Sequence, residues 1–250
     1  MLVQKETWAN ISLLHISTAH MKKDAPVMIF LHGFMSGKEH NLHYAYNLVE
    51  QGIRVLLPDA LYHGERDKGL DELQMNFAFW QIVFQNIQEV GILKEELVAH
   101  GFNGKVAVGG TSMGGITTAG CLMTYNWIDT ASILMGAVNY GKLFEAQLAE
   151  LEQLNISVPM SQYELATFKE QLAHFDAAKH TKAFERIPIF FWHGKQDPRV
   201  PFDMSYDFYA AQQDAGKASN LIYMEDPHAG HAVSRAGMLK MVDFVAQHLA

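Results

Sequence analysis

Lys105-Val106-Ala107-Val108-Gly109-Gly110-Thr111-Ser112-Met113-Gly114-Gly115 is the stretch on which the reading of this chain turns. An apolar run, Lys105–Gly109, leads into Gly-x-Ser-x-Gly, and a helical segment, Gly114–Tyr125, follows. A strand passing into a helix through small residues is the setting in which this motif forms a nucleophile elbow. A serine hydroxyl attacks poorly until it is exposed and a neighbouring base takes its proton. A sharp turn lifts Ser112 above the sheet and leaves no room for side chains at Gly110 and Gly114. The helix opening behind it aims its positive end at the charge formed on attack. The plainer reading is a glycine-rich packing turn, but the strand before and the helix after favour the elbow.

Outward from the elbow the chain alternates. Leu2–Trp8 and Ile11–Ser17 read as an antiparallel opening pair around Asn10. Val27–Leu31 is apolar throughout, as in a strand buried on both faces of a parallel sheet. Leu42, Ala45, Leu48 and Val49 keep helical spacing up to Gly52. Arg54–Leu57 is the next strand, and Phe77, Trp80, Val83, Phe84, Ile87 and Val90 mark one helical face. Ser132–Gly136, Ile187–Trp192 and Leu221–Glu225 are three further strands, and Met238, Met241, Val242, Val245 and Leu249 line a closing helix. The pattern predicts an α/β fold, a mostly parallel central sheet with helices on both faces and a ligand crevice at the carboxyl ends of the strands.

One segment breaks the rhythm. About fifty residues separate Gly136 from Ile187, longer than an ordinary connection. Phe144, Leu148 and Leu151 suggest one helix there, and Leu165, Phe168, Leu172 and Phe175 another. The expectation is a single domain over 1–250 with a helical insertion at about 139–184. Two readings of that insertion stand side by side, a partial lid over the site and a pair of helices on the sheet flank.

Composition narrows the function classes. The 250 residues are 49% hydrophobic and 18% charged, as in an ordinary globular domain. The net charge of −8 and the lack of a basic run argue against a nucleic-acid partner. No apolar run reaches the roughly 18 residues of a membrane span. Lys5 and Glu6 stand where a signal peptide would be apolar, and the single Cys121 allows no internal disulfide. These features predict a cytoplasmic protein with no membrane partner.

The remaining chemistry lies in three loops. His32-Gly33-Phe34 ends the Val27–Leu31 strand. An acyl-transfer intermediate needs two backbone N–H donors, expected from Met113 and from Phe34. His32, just before the turn, reads as a structural histidine bonded to nearby loop backbone. His193-Gly194-Lys195-Gln196-Asp197-Pro198 supplies the acid, Asp197, in the chain order Ser…Asp…His. Asp59 also ends a strand, but it precedes the nucleophile and reads as a loop brace. Asp226-Pro227-His228-Ala229-Gly230-His231 holds two histidines; His231, after a glycine and before the last helix, is favoured as the base over His228. The thirteen histidines include the pairs His40/His43 and His228/His231, but no His-Glu-x-x-His and no adjacent acidic cluster, so no metal is expected. No Gly-x-Gly-x-x-Gly or phosphate loop occurs, so no cofactor is implied.

These segments, together with Ser36, Lys38 and Glu39, and with Pro58-Asp59-Ala60 followed by His63-Gly64-Glu65-Arg66, resemble the bacterial prolyl-oligopeptidase-like esterases of the α/β-hydrolase superfamily. The resemblance runs from about residue 25 onward. It implies carboxylesterase activity on short-chain esters of small molecules, with Ser112, Asp197 and His231 as the triad and the amides of Phe34 and Met113 as the oxyanion hole. The sequence carries no segment for the propeller domain of true prolyl oligopeptidases, which favours ester over peptide substrates. A small peptidase or amidase, or a thioesterase, uses the same triad. A binding protein on this fold is the alternative from another class.

Overall fold

The apolar runs become strands buried from end to end: β3 (Val27–Leu31), β4 (Arg54–Pro58), β5 (Val106–Thr111), β6 (Thr130–Leu134) and β7 (Ile189–Gly194). With β1 (Leu2–Trp8), β2 (Ile11–Ser17) and β8 (Leu221–Asp226) they form one eight-stranded sheet in the computed structural model, which describes residues 1–250. The spatial order is β1-β2-β4-β3-β5-β6-β7-β8. β1 pairs antiparallel with β2, β2 antiparallel with β4, and every other pair is parallel. This is the α/β-hydrolase arrangement expected from the sequence.

Eight helices accompany the sheet. α1 (Leu42–Glu50) and α8 (Arg235–Leu249) cover one face, where Leu48, Met241 and Val245 pack with Phe30, Val55 and Trp192. α2 (Glu72–Ala99) and α3 (Met113–Thr124) cover the other, where Val83, Val90 and Ile116 pack with Ile29 and Val108. α2 is far longer than its apolar face suggests. Asp71 starts it through a capping box, its carboxylate accepting from the Gln74 N–H while Gln74 bonds back to the Asp71 N–H.

The chain passes from β3 to β4, then returns to β5 on the far side of β3. The order of strands therefore reverses between β3 and β5, whose ends stand side by side with Leu31 opposite Gly110. In open α/β sheets such a switch point is where a crevice forms.

The long segment contains α4 (Tyr140–Gln153), α5 (Gln162–Ala173) and α6 (Thr181–Glu185). α4 and α5 meet α2 through an aromatic seam. Trp80 Nε1 donates to Gln147 at 2.8 Å, Phe144 faces both Trp80 and Phe168, and Phe84 meets Phe168 and Phe175. Lys142 of α4 also bridges Asp203 and Asp207 of α7 (Asp203–Asp214).

Most element boundaries shift by one or two residues from the sequence reading, and two strands show why. β6 begins at Thr130 and ends at Leu134 because Met135 turns into the left-handed region at φ 45°. β7 begins at Ile189, two residues late, because Pro188 has no N–H to give a ladder; its carbonyl instead accepts from the Ala131 N–H and the Thr130 hydroxyl. Helix α7 was not expected at all. Its buried positions are Met204, Ser205, Phe208 and Gln212, and with half of them polar no apolar stripe marks it.

Candidate active site

Ser112 takes φ 54° and ψ −118°, between the last residue of β5 and the first of α3. Few side-chain-bearing residues adopt such a conformation, and it persists here because both sides are pinned. The Ser112 N–H donates to the Leu134 carbonyl at 2.9 Å, and its carbonyl accepts from the Ile116 N–H at 2.9 Å. A Cβ at Gly110 or Gly114 would run into the Leu31 carbonyl oxygen, so the expected need for glycine at both positions has a definite cause.

Asp197 and His231 arrive on two loops joined to each other. After β7, the Lys195 N–H donates to the Asp226 carbonyl and the Gln196 N–H to the Ala229 carbonyl, at 2.8 and 3.0 Å. Asp226 in turn caps the turn of the second loop, its Oδ1 accepting from the N–H groups of His228 and Ala229. Ser234 caps α8 by accepting from the Gly237 N–H, which fixes where the second loop ends.

These supports bring three distant residues together. His231 Nε2 lies 2.8 Å from the Ser112 hydroxyl oxygen, and its Nδ1 lies 2.7 Å from Asp197 Oδ2. Asp197 Oδ1 accepts from the Arg199 and Val200 N–H groups at 2.8 and 3.0 Å. Burial alone would raise the Asp197 pKa. Hydrogen bonds from His193, His231 and those two amides outweigh it and hold the carboxyl well below the usual carboxylate range. His228 is exposed; it bonds Asp226 through its backbone and does not reach Ser112.

Phe34, the expected second oxyanion donor, lies on the loop after β3. A Cβ on Gly33 would lie 3.4 Å from that of Ser112, so this loop stands directly beside that serine. His32 Nδ1–H donates to the Gly33 carbonyl at 2.8 Å, and its Nε2 accepts from the Ala60 N–H at 3.0 Å. The carbonyl and N–H of a trans peptide point opposite ways. Holding the Gly33 carbonyl therefore turns the Phe34 N–H away from His32. Met113 opens α3, so its N–H has no partner in the preceding turn. Burial lowers the His32 pKa to about 4, which keeps the ring neutral in this bonding pattern. The structure thus places His32 on loop backbone, as its position suggested.

Asp59 is fully buried. It pairs with Lys38 and accepts from the Ser12 hydroxyl at 2.7 Å and from the Glu65 N–H at 3.1 Å. These bonds tie β2 and the loops after β3 and β4 into one support. Burial would raise the Asp59 pKa, but the bonds from Lys38, Ser12, Glu65 and the Lys38 amide lower it overall.

Sequence reasoning gave no role to His63, Arg66 or His193. His63 accepts from the Met35 N–H, Arg66 forks onto Glu89 of α2, and His193 lies beside Asp197. Each histidine stands in a His-Gly pair at or just beyond a strand end, as His32 does, and that repetition was the available signal. No three His, Cys, Asp or Glu side chains gather where they could hold a metal ion. His40 instead bonds Ser36 Oγ, and His43 packs on Tyr44.

Comparison with known proteins agrees with this architecture. The prolyl oligopeptidase family matches residues 92–250. "Putative esterase YitV" of Bacillus subtilis (strain 168) is 35% identical over 252 residues, covering 99% of both chains. "Esterase YjfP" of Escherichia coli (strain K12) is 28% identical over 250 residues, again with 99% of each chain covered. Among solved structures, TT1662 from Thermus thermophilus superimposes with a TM-score of 0.78 at 19% identity, over 99% of this chain and 98% of that one, a likeness of fold. With a family match over more than half its length and a relative aligned end to end, the chain belongs to the prolyl oligopeptidase family.

Proposed function

We propose that this protein is a serine carboxylesterase acting on short-chain esters of small molecules, with Ser112 as nucleophile, His231 as general base and Asp197 as the acid that orients it. The observation that carries the reading is the His231 ring, which faces Ser112 at 2.8 Å with one nitrogen and Asp197 at 2.7 Å with the other. A ring so held can take a proton from the hydroxyl while the carboxylate stabilises the resulting cation. Two relatives bearing the name esterase support the same chemistry.

The steps follow from the geometry. Ser112 Oγ attacks the ester carbonyl carbon as His231 Nε2 takes its proton. The carbonyl oxygen becomes an oxyanion, stabilised by the N–H groups of Phe34 and Met113. Collapse breaks the bond to the alkoxy oxygen, and His231 returns the proton to it, releasing the alcohol. A water molecule then gives its proton to His231 and attacks the acyl-enzyme, freeing the acid and restoring Ser112.

The preference for short acyl groups is supported by the packing around the oxyanion loop. The Phe34 ring stands edge-on to Phe79, and Phe79 to Trp80, so side chains fill the α2 side. No helix is long and apolar enough to cross a membrane. The test is a series of p-nitrophenyl esters of graded acyl length, run beside an aminoacyl anilide and a thioester. Fastest turnover on the shortest acyl groups is expected. Anilide cleavage without ester hydrolysis would overturn the proposal. Labelling by an organophosphonate, expected at Ser112, separates catalysis from simple binding.

A further inference from the structure

We infer that His63 is a positioning residue of the oxyanion hole, holding the Phe34–Met35 turn in the conformation that presents the Phe34 N–H to Ser112; the inference rests on the esterase reading above. Met35 has φ 57°, in the left-handed region that a methionine keeps only when its surroundings hold it. Its N–H donates to His63 Nε2 at 3.0 Å. The other ring nitrogen, Nδ1, donates to the Leu61 carbonyl at 2.8 Å. The two bonds specify one ring state: neutral, with the proton on Nδ1 and a bare Nε2.

The mount behind this ring is rigid. His63 is buried, 5.1 Å from the His32 ring and 5.8 Å from the Phe34 ring, edge-on to both. Gly64 follows at φ 54°, against the Asp59 carboxylate, where no side chain fits. Arg66 donates to the Asp59 carbonyl at 2.9 Å and forks onto Glu89 of α2 at 2.7 and 2.6 Å. The loop after β4 is thereby fastened to both the sheet and α2 before it touches the oxyanion loop.

His32 and His63 divide the task. His32 fixes the Gly33 carbonyl, and the Ser36 N–H reaches the same oxygen at 3.2 Å. His63 fixes the next N–H but one, that of Met35. With the peptide before Phe34 and the peptide after it both held, the Phe34 N–H has no second orientation to adopt. A ring protonated on Nε2 would set N–H against N–H and release Met35. Burial lowers the His63 pKa, and the bond to Leu61 only partly opposes this, so the accepting form persists at neutral pH.

Two variants separate the two ring bonds. His63→Gln places a carbonyl oxygen near the Nε2 position, keeping an acceptor for Met35. His63→Asn keeps a donor near the Nδ1 position but leaves Met35 without an acceptor. On a p-nitrophenyl ester, His63→Asn is expected to lower kcat roughly 10- to 100-fold, short of the loss from deleting an oxyanion donor. KM should stay within about twofold, since the interaction matters most in the transition state. His63→Gln should recover most of that turnover. Both are assayed at a temperature where circular dichroism finds them folded. Wild-type kcat in His63→Asn, or an equal loss in both variants, overturns the inference. If His63→Asn does not fold, long-range proton–nitrogen NMR of the wild-type imidazoles decides it: a proton on Nδ1 of His63 is expected, and one on Nε2 overturns it. A wild type with neither ester turnover nor Ser112 labelling would instead remove the esterase reading, and this inference with it.

Discussion

His193 sets its Nε2 3.3 Å from Oδ2 of Asp197, the same oxygen that faces His231. That ring belongs to β7 and never meets Ser112. Its Nε2–H also reaches the Val200 carbonyl at 2.9 Å, and its Nδ1 accepts from the Ser205 hydroxyl at 3.1 Å. Ser205 lies 2.9 Å from the Tyr223 hydroxyl of β8. Asp197 is therefore anchored from the sheet side by a chain of polar groups that crosses β7, α7 and β8. Two histidines on one carboxylate oxygen leave little freedom in where it points.

Asp197→Asn should lower kcat on the order of 10⁴-fold with a small change in melting temperature. An amide can face His231 Nδ1 with its NH₂, which forces the ring proton onto the nitrogen that must accept from Ser112. Asp59→Asn should do the reverse. Lys38 is 1% exposed; without the Asp59 charge it keeps only the outlying carboxylates of Glu39 and Glu65, at 3.3 and 3.7 Å, and the Ser12 hydroxyl and Glu65 N–H lose a charged acceptor, at a cost of about 1–3 kcal/mol. Steady-state kinetics and thermal melts on both variants check the contrast. A well-folded Asp59→Asn protein with the greater kcat defect would reverse the two roles.

The contrast also marks how far the sequence could be read. The elbow was legible because its glycines, its serine, the strand and the helix are contiguous, so local sterics alone point to the turn. The loops that carry Asp197 and His231 were legible because each follows a recognisable strand. The supports were not. His63 meets an N–H 28 residues earlier, and Lys38 meets a carboxylate 21 residues later. A sequence names the donors and acceptors but not which long-range partner each one meets. Helix α7 escaped for a different reason, since two of its four buried positions, Ser205 and Gln212, are polar and leave no apolar stripe to read.

Ser112→Ala should remove turnover on the order of 10⁴-fold or more while the fold survives. Ser112→Gly should be equally inactive yet melt at a higher temperature than the alanine variant. The Cβ held at φ 54° and ψ −118° costs about 1–3 kcal/mol, and glycine gives back only about 0.5–1 kcal/mol through the freer unfolded chain. Calorimetry on the pair measures the strain stored at the nucleophile. Equal melting temperatures would mean that the turn is relaxed. More than a few per cent of activity in Ser112→Ala, contamination excluded, would exclude Ser112 as nucleophile.

His32 should make the protein less stable in mild acid. Its pKa is 6.5 as a free side chain and about 4 in the fold, through burial. The unfolded chain therefore binds a proton as pH falls below about 6.5, while the folded ring stays neutral until about 4. The stabilisation is complete above the first value and is lost on the way to the second. At about 1.4 kcal/mol per pH unit, the loss is on the order of 3 kcal/mol. His32→Asn keeps a donor for the Gly33 carbonyl but cannot titrate. Urea unfolding between pH 4.5 and 6.5 should give a shallower dependence of stability on pH for this variant, by up to one proton. Identical slopes would mean that His32 takes up its proton alike in the folded and unfolded chain.

His231, and neither His228 nor His32, should set the acylation rate. The base must face the Ser112 hydroxyl with one nitrogen and the carboxylate with the other, and only His231 does both. His32 has both nitrogens committed to loop backbone, and His228 is exposed on the far part of its turn. Only a neutral ring accepts a proton, so kcat/KM should rise from acid toward neutral pH. Asp197 contributes nothing to that rise, because its pKa is depressed and it stays ionised well below the range in which the rate changes. Single-turnover acylation separates the three histidines. His231→Ala should lose acylation on the order of 10⁴-fold or more. His228→Ala should acylate nearly as fast as the wild type. His32→Ala should fall between them, because it loosens the Gly33–Phe34 peptide without removing a proton acceptor. Loss of acylation in a folded His228→Ala protein, with His231→Ala still acylating, would reassign the base.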